Sequence, residues 1–317
     1  MQKKQSNERL YMYDIIIIGG GAAGMSAAIY ASRGGMKTLM IEKLACGGQA
    51  VRTYEVDNYP GFFDAPTGQE LSAAFEKHAM KFGAERVFEN VKEIKNPEGE
   101  IKTVVTRKNS YDTRAIILAT GASPKKLGVP GEAELTGSGV SYCATCDGAF
   151  FKGQDVVVIG GGNTACEDAL YLSRFCTNVY MLNRSKKFKA QKTLLDKVFA
   201  DKKITVYTDM IAESFEGNGR LERVYAKNTE TGERGFINAA GSLIAIGITP
   251  DSDLAKQTGI ELCERGFIKT NMYLRTNIDG IYAAGDVRVS PLRQIVTAAA
   301  DGAVAANSAI NYLNGLK

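Results

Sequence analysis

DIIIIGGGAAGMSAAIY, residues 14–30, joins an acid, four isoleucines and three consecutive glycines to a run of small and apolar residues at helical spacing. A continuous β-branched run is what a strand buried on both faces requires, and its stop at glycine marks a tight turn. Gly19-x-Gly21-x-x-Gly24 is then a dinucleotide fingerprint. Its first glycine permits the turn, its second lets backbone approach a pyrophosphate, and its third lets helix and strand pack closely. The helix next in the chain starts at Ala22 and Ala23 and turns its N–H groups toward the phosphates. One glycine-rich turn occurs by chance; here the chain repeats itself. DVVVIGGGNTACEDALY at 155–171 has the same order, with Gly160, Gly162 and Ala165 at the small positions and Asn163 and Thr164 in the loop.

The echo extends downstream. AIILATGASP (115–124) is answered by SLIAIGITPD (242–251), and a third hydrophobic run, GIYAAGDV (280–287), places Gly285 and Asp286 just past a strand. Thr120 and Gly121 sit in the first of these turns. The expected fold is therefore α/β, with two Rossmann-like, three-layer ββα nucleotide-binding domains, the second inserted into the first. Residues 12–124 and 251–317 form the discontinuous first domain and 125–250 the second, with breaks in the Gly- and Pro-rich stretches GASPKKLGVPGE and GITPDSD.

Composition excludes several other classes. At 317 residues, 44% apolar and 23% charged, the chain is long enough for two cores and lacks the bias of a disordered protein. MQKKQSNERLYMYD at the N-terminus is too polar for a signal peptide, and no run of about 18 apolar residues offers a membrane span, so a cytoplasmic location is expected. The net charge of +4 is spread among interspersed acids and bases, which argues against nucleic-acid binding.

The residue about 20 positions beyond each first glycine meets the adenosine ribose. KTLMIEK puts Glu42 there in the first domain, with Lys43 next to it. A carboxylate accepts from ribose hydroxyls and repels a 2′-phosphate, which suits FAD or NAD. NVYMLNRSKKFKA puts Asn183 there in the second, with Arg184, Ser185, Lys186, Lys187 and Lys189 behind it. Replacement of the acid by a basic run suits the 2′-phosphate of NADPH, although such a run also reads as a solvated surface loop.

Of six cysteines, only Cys143 and Cys146 form a Cys-x-x-Cys pair, with Asp147 directly after. A structural staple belongs to small secreted domains, and a zinc site needs a second pair of ligands in a chain whose one histidine is His78. Both of those readings start weak beside a third, a redox disulfide: the short ring gives a thiol of lowered pKa open to exchange, and a neighbouring carboxylate can carry protons. Cys166, Cys176 and Cys263 read as structural, Cys46 has only Lys43 nearby as a base, and His78 reads as a helix-surface residue.

These motifs together resemble the low-molecular-weight thioredoxin reductases, from about residue 12 onward: GGGAAG, GGQ (47–49), Asn58 to Gly61, ATGA (119–122), CATCDG (143–148), GGGNTA (160–165), and GDV with RQxxTAxxDG (293–302) after it. The resemblance implies a homodimer with FAD and NADPH that reduces thioredoxin or a thioredoxin-like protein. It implies that Glu42, Gly48, Gln49, Asn58, Asp286, Arg293, Gln294 and Ile295 help hold FAD. It also implies that Cys146 lies against the flavin, that Cys143 exchanges with the partner, and that Asp147 gives and takes the proton. The disulfide and the second fingerprint fall in one domain and the flavin in the other, so a rotation is expected about hinges near Pro124–Gly128 and Ile248–Asp251. The chain departs from the family's His-Arg-Arg-x-x-x-Arg at Asn183, Ser185 and Lys189, which leaves NADH or reduced ferredoxin as alternative donors. A flavin-dependent dithiol oxidase and a nucleotide-holding redox sensor are the alternative activities.

Overall fold

The computed structural model describes residues 11–53, 56 and 58–316; most of the polar N-terminal stretch that argues against a signal peptide, residues 1–10, lies outside them. The chain divides into two compact units, one taking the described residues up to Ser123 and those from Thr249 onward, the other Pro124–Ile248.

The first unit opens with strand β1 (Tyr11–Ile18), helix α1 (Ala22–Arg33), strand β2 (Thr38–Glu42), helix α2 (Gly68–Lys81), and strands β3 (Glu85–Phe88), β4 (Val91–Lys95), β5 (Lys102–Thr106) and β6 (Ser110–Leu118). The two crossings between units pair as a ribbon of β7 (Ala122–Pro124) and β16 (Ile248–Pro250). The second unit contains β8 (Val140–Ser141), β9 (Val156–Ile159), β10 (Val179–Asn183), β11 (Ile204–Thr208), the meander β12 (Met210–Glu216), β13 (Arg223–Asn228) and β14 (Arg234–Asn238), and β15 (Gly241–Ile244). Its helices are α3 (Glu132–Leu135), α4 (Ala144–Asp147), α5 (Asn163–Leu172) and α6 (Lys192–Ala200). The chain returns to the first unit with α7 (Asp253–Gln257), β17 (Ile281–Ala283) and α8 (Ile295–Gly315).

In the first unit β3, β2, β1, β6 and β17 run parallel, while β5 and β4 continue antiparallel from the early half of β6. The isoleucines of β1 explain the layering. Ile15 and Ile17 pack with Ala27, Ala31, Ala305 and Ala309 on the α1/α8 side. Ile16 and Ile18 point the other way, into a core with Ile94 and Val104 of the antiparallel strands. Each fully buried isoleucine removes apolar surface worth about 1.5–3 kcal/mol, so a strand loaded on both faces needs a layer on each.

The second unit repeats the plan, with parallel order β11-β10-β9-β15-β8 and the meander β12-β13-β14 as its third layer. Val156 and Val158 of β9 meet Cys166 and Ala169 of α5, whereas Val157 and Ile159 meet Phe215 and Val224 of the meander. The α/β, two-fold Rossmann-like class expected from the duplicated fingerprint is the observed one.

Candidate active site

Gly19 has φ +112°, and a Cβ there would lie 2.2 Å from the Ala119 carbonyl oxygen. A Cβ on Gly24 would stand 1.8 Å from the Gly19 carbonyl oxygen. Both positions therefore admit only glycine, and together they bring α1 down onto the end of β1. Gly21, the N-cap of α1, faces open space, and no side chain caps the helix. By contrast, Thr67 and Glu70 fill both roles of a capping box on α2. The N–H groups of Ala22, Ala23 and Gly24 are thus left to a ligand, which fits a pyrophosphate. Gly48, at φ +61°, closes on this turn, its added Cβ meeting Gly21 Cα at 3.4 Å.

Glu42 ends β2 with its carboxylate held by the backbone N–H of Gly20 (2.8 Å) and of Leu44 (3.0 Å). Two of its lone-pair directions are so occupied and the rest remain for ribose hydroxyls. Glu42, Lys43, Gly19, Thr120 and Asp251 line a cavity of about 310 Å³. Asp251 draws this rim together: it lies 3.7 Å from Lys43 Nζ, its carbonyl accepts from the Thr120 hydroxyl, and its N–H donates to the Gly121 carbonyl at 2.9 Å. Gln49 donates to Ser123 Oγ at 3.2 Å. Asn58 donates to Gln294 Oε1 at 3.1 Å, so two expected flavin residues 236 positions apart meet.

Asp286 comes after β17 in a short 3-10 turn, half-buried, and burial raises its carboxyl above the ordinary value despite Arg293. Arg293 stacks its guanidinium 4.3 Å from the centre of the Phe267 ring, and its buried Nε has no hydrogen-bond partner among the described residues. Ile295 opens α8. Asp301, whose role the sequence pattern did not reveal although it lies in the RQxxTAxxDG motif, braces this turn: it accepts from Gly285 N–H at 3.0 Å and from Arg288 Nε and Nη2 at 2.6 and 2.7 Å. The orphaned Arg293 Nε and the uncapped α1 make this unit fit for a dinucleotide with a flavin.

In the second unit Gly162 likewise faces open space at an uncapped helix, α5, with Ala165 packed against Gly160. Asn163 accepts from Gln191 N–H at 2.8 Å and Gly161 accepts from Lys189 N–H at 2.8 Å, so the basic loop is tied back to the fingerprint. Thr164 is exposed beside them. Asn183 is 5% exposed and donates to the Ser185 carbonyl at 2.6 Å, because a buried amide takes the loop carbonyls within reach. Asn183 shapes the loop, and Arg184, Ser185, Lys186, Lys187 and Lys189 are all exposed, where a phosphate can reach them. Lys186, whose charge would help there, is held by both oxygens of Glu230 at 2.7 Å.

Cys143 and Cys146 are joined as a disulfide, with Cys143 preceding α4 and Cys146 within it. Asp147 N–H donates to the Cys143 carbonyl at 3.1 Å, and its carboxylate takes a short hydrogen bond from the Ser141 hydroxyl. Ser141 also accepts from Cys143 N–H at 3.1 Å. Sequence reasoning missed Ser141, although it stands two residues before the pair. Gly148 packs against Leu172 and Tyr171 and so seats α4 on α5. On α5, burial and then Glu167 push Asp168 up to about 7.

Burial raises Cys166 and Cys176 to about 11, as structural thiols require. Burial raises Cys46 too, against Arg86, a basic neighbour that only the fold supplies. His78 is exposed on α2. Among the described residues there is no cluster fit for a metal ion and no helix long and apolar enough to cross a membrane.

The profile of the family described as Pyridine nucleotide-disulphide oxidoreductase matches residues 13–302. A thioredoxin reductase of Bacillus subtilis (strain 168) is 46% identical over 307 residues, covering 96% of this chain and 96% of its own. The crystal structure of thioredoxin reductase from Streptococcus pyogenes MGAS5005 matches with TM-score 0.92 at 41% identity, covering 96% of this chain and 99% of that one. That of Lactococcus lactis thioredoxin reductase (FR conformation) matches at the same identity and coverages with TM-score 0.65.

Proposed function

The chain belongs to the pyridine nucleotide-disulphide oxidoreductase family, with thioredoxin reductases as its relatives, and on that premise we propose that it passes electrons from NADPH through FAD and the Cys143–Cys146 disulfide to thioredoxin or a thioredoxin-like protein. The observation that carries the reading is the Cys143–Cys146 disulfide with Asp147 directly behind it, in the unit that holds the second fingerprint.

FAD and a pyridine nucleotide, when bound, supply what side chains lack, a hydride taken as one two-electron step and the pair passed to sulfur. Gly19, Gly21, Ala22, Ala23, Gly24, Gly48 and Glu42 hold the flavin's dinucleotide, and Asn58, Asp286, Arg293 and Gln294 its remaining polar groups. Gly160, Gly162, Asn163, Thr164 and Ala165 hold the donor's pyrophosphate. In the reduced pair, Cys143 as thiolate attacks the partner's disulfide, and the sulfur it displaces leaves as thiolate and takes a proton. Cys146 then attacks the Cys143 sulfur, closing the internal disulfide and releasing the partner's second sulfur, which takes the other proton. Two electrons and two protons pass to the partner; Asp147 carries the proton between its own thiols and the leaving sulfur.

A rotation between the two units alternates donor and disulfide at the flavin, through the crossings at 124–128 and 248–251. Its support is that the two crossings pair as one ribbon, so few backbone angles need to change. The homodimer and cytoplasmic location belong to the same proposal, with exposed Tyr30, Val296 and Val304 on α1 and α8 as an apolar face for a second copy.

Two observations favour NADH as a second donor: Lys186 is engaged by Glu230, and Ser185 occupies a position where an arginine is usual. Stopped-flow reduction of the purified flavoprotein by NADPH, NADH and reduced ferredoxin, with thioredoxin as acceptor, tests the reading. Fastest flavin bleaching by NADPH with thioredoxin turnover is expected. Bleaching by ferredoxin alone would sink the donor assignment, and rapid oxygen consumption with a small dithiol would favour an oxidase.

A further inference from the structure

We propose that Ser141 is a positioning residue for the reaction, a buried hydroxyl that gives Asp147 a hydrogen-bond partner in both of its protonation states and so lets it carry a proton beside the disulfide. This rests on the disulfide-reductase reading above.

Ser141 is fixed by secondary structure. It closes the two-residue strand β8, lies opposite Leu243 of β15, and is 4% exposed. Its oxygen is therefore held by a sheet and not by the loop that carries the cysteines. That oxygen accepts Cys143 N–H at 3.1 Å. Its single proton has two acceptors in reach, the Asp147 carboxylate at short range and the Cys143 carbonyl at 3.4 Å.

A hydroxyl has one hydrogen to donate and two lone pairs. When Asp147 is ionised, the hydrogen points to the carboxylate in a charge-assisted bond. When Asp147 holds the proton, the acid's own O–H can donate to Ser141 Oγ, and the serine hydrogen turns toward the Cys143 carbonyl 3.4 Å away, a weak third contact on an oxygen that already accepts N–H from Cys146 and Asp147. Neither state leaves the serine oxygen unsatisfied, and Cys143 N–H stays bonded throughout. A fixed donor such as a backbone N–H would serve only the carboxylate. The exchange needs both states, because Asp147 takes the proton as a Cys143 or Cys146 thiolate forms and returns it to the partner's leaving thiolate, with no proton gained or lost.

The test uses the full flavoprotein, reduced beforehand, and tracks the rate of thioredoxin reduction across the neutral pH range. In Ser141→Ala the ionised carboxylate loses the serine's donated hydrogen bond, so the acid limb of the profile moves up by about one unit. Ser141→Thr keeps the hydroxyl and the wild-type limb. In Asp147→Asn, which lacks the group, adding Ser141→Ala leaves the shape of the profile unchanged. An unshifted limb in Ser141→Ala overturns the inference. So does an equal loss of rate at every pH, or the same shift in Ser141→Thr, either of which would place the effect in packing. A wild-type protein that fails to reduce thioredoxin at any pH sinks the functional reading instead, and the two failures are thereby distinct.

Discussion

Glu42 and Asp168 are two carboxylates put to different uses by their surroundings. Glu42 is held as an acceptor by two backbone N–H groups at the rim of the first unit's cavity, so it stabilises the loop and, on the proposed function, keeps lone pairs for a ribose. Glu42→Ala removes charge-assisted bonds of roughly 1.5–3 kcal/mol each. FAD affinity, measured by fluorescence titration of the apoprotein, should fall by about ten- to a hundredfold. Asp168 is a different case, its carboxyl pushed by burial from the ordinary 3.8 to about 7. Because the folded state keeps this proton longer than the unfolded chain, its contribution is whole below pH 3.8 and is lost as pH rises through about 7. Asp168→Asn should thus raise Tm above neutrality, by about 2–4 °C per kcal/mol recovered, and the gain should vanish toward pH 4. Thermal melts across that range check it; a gain equal at all pH values would contradict the assignment.

At the scale of elements, the two strand–turn–helix units differ mainly at the end of the second strand. β2 ends in an acid and β10 in an amide that folds its own basic loop inward. The loop's charge is then trimmed by Glu230 at the tip between β13 and β14. Glu230→Gln should release Lys186 and tighten NADPH binding two- to fivefold at low salt, about 0.4–1 kcal/mol for an exposed pair. NADH affinity should not move, and quenching titrations with both nucleotides would expose an effect common to the two. The same contrast separates the legible residues from the rest. The fingerprints and the acid at Glu42 are local patterns, fixed by the turn and the length of one strand–helix step. Glu230 and Arg86 were not legible, because a distant hairpin or sheet pairing delivers their partners, whereas Ser141 and Asp301 meet partners 2 to 16 positions away through local turns whose geometry the spacing does not reveal. Lys186 reads in the sequence as a spare charge for the phosphate for that reason: its carboxylate lies 44 positions away. Asn183 stands at a strand end, as its spacing predicts, but which way its amide turns depends on burial that periodicity does not reveal.

For the molecule as a whole, the proposed flavin site lies in one unit and the disulfide and proposed donor site in the other, and the proposed function has the two presented in turn. A crosslink that locks the units should leave at most one half-reaction fast and cut steady-state turnover by at least about tenfold; turnover unaffected by the lock would remove the rotation from the account. The central claim is that electrons leave through the Cys143–Cys146 pair. The most direct measurement is anaerobic stopped-flow of Cys143→Ser and Cys146→Ser beside the unaltered protein, with NADPH as donor and thioredoxin as acceptor. The account predicts that both variants still bleach their flavin while thioredoxin reduction drops by about three orders of magnitude or more, since neither can close the internal disulfide. Thioredoxin reduction at an undiminished rate in either variant would contradict it.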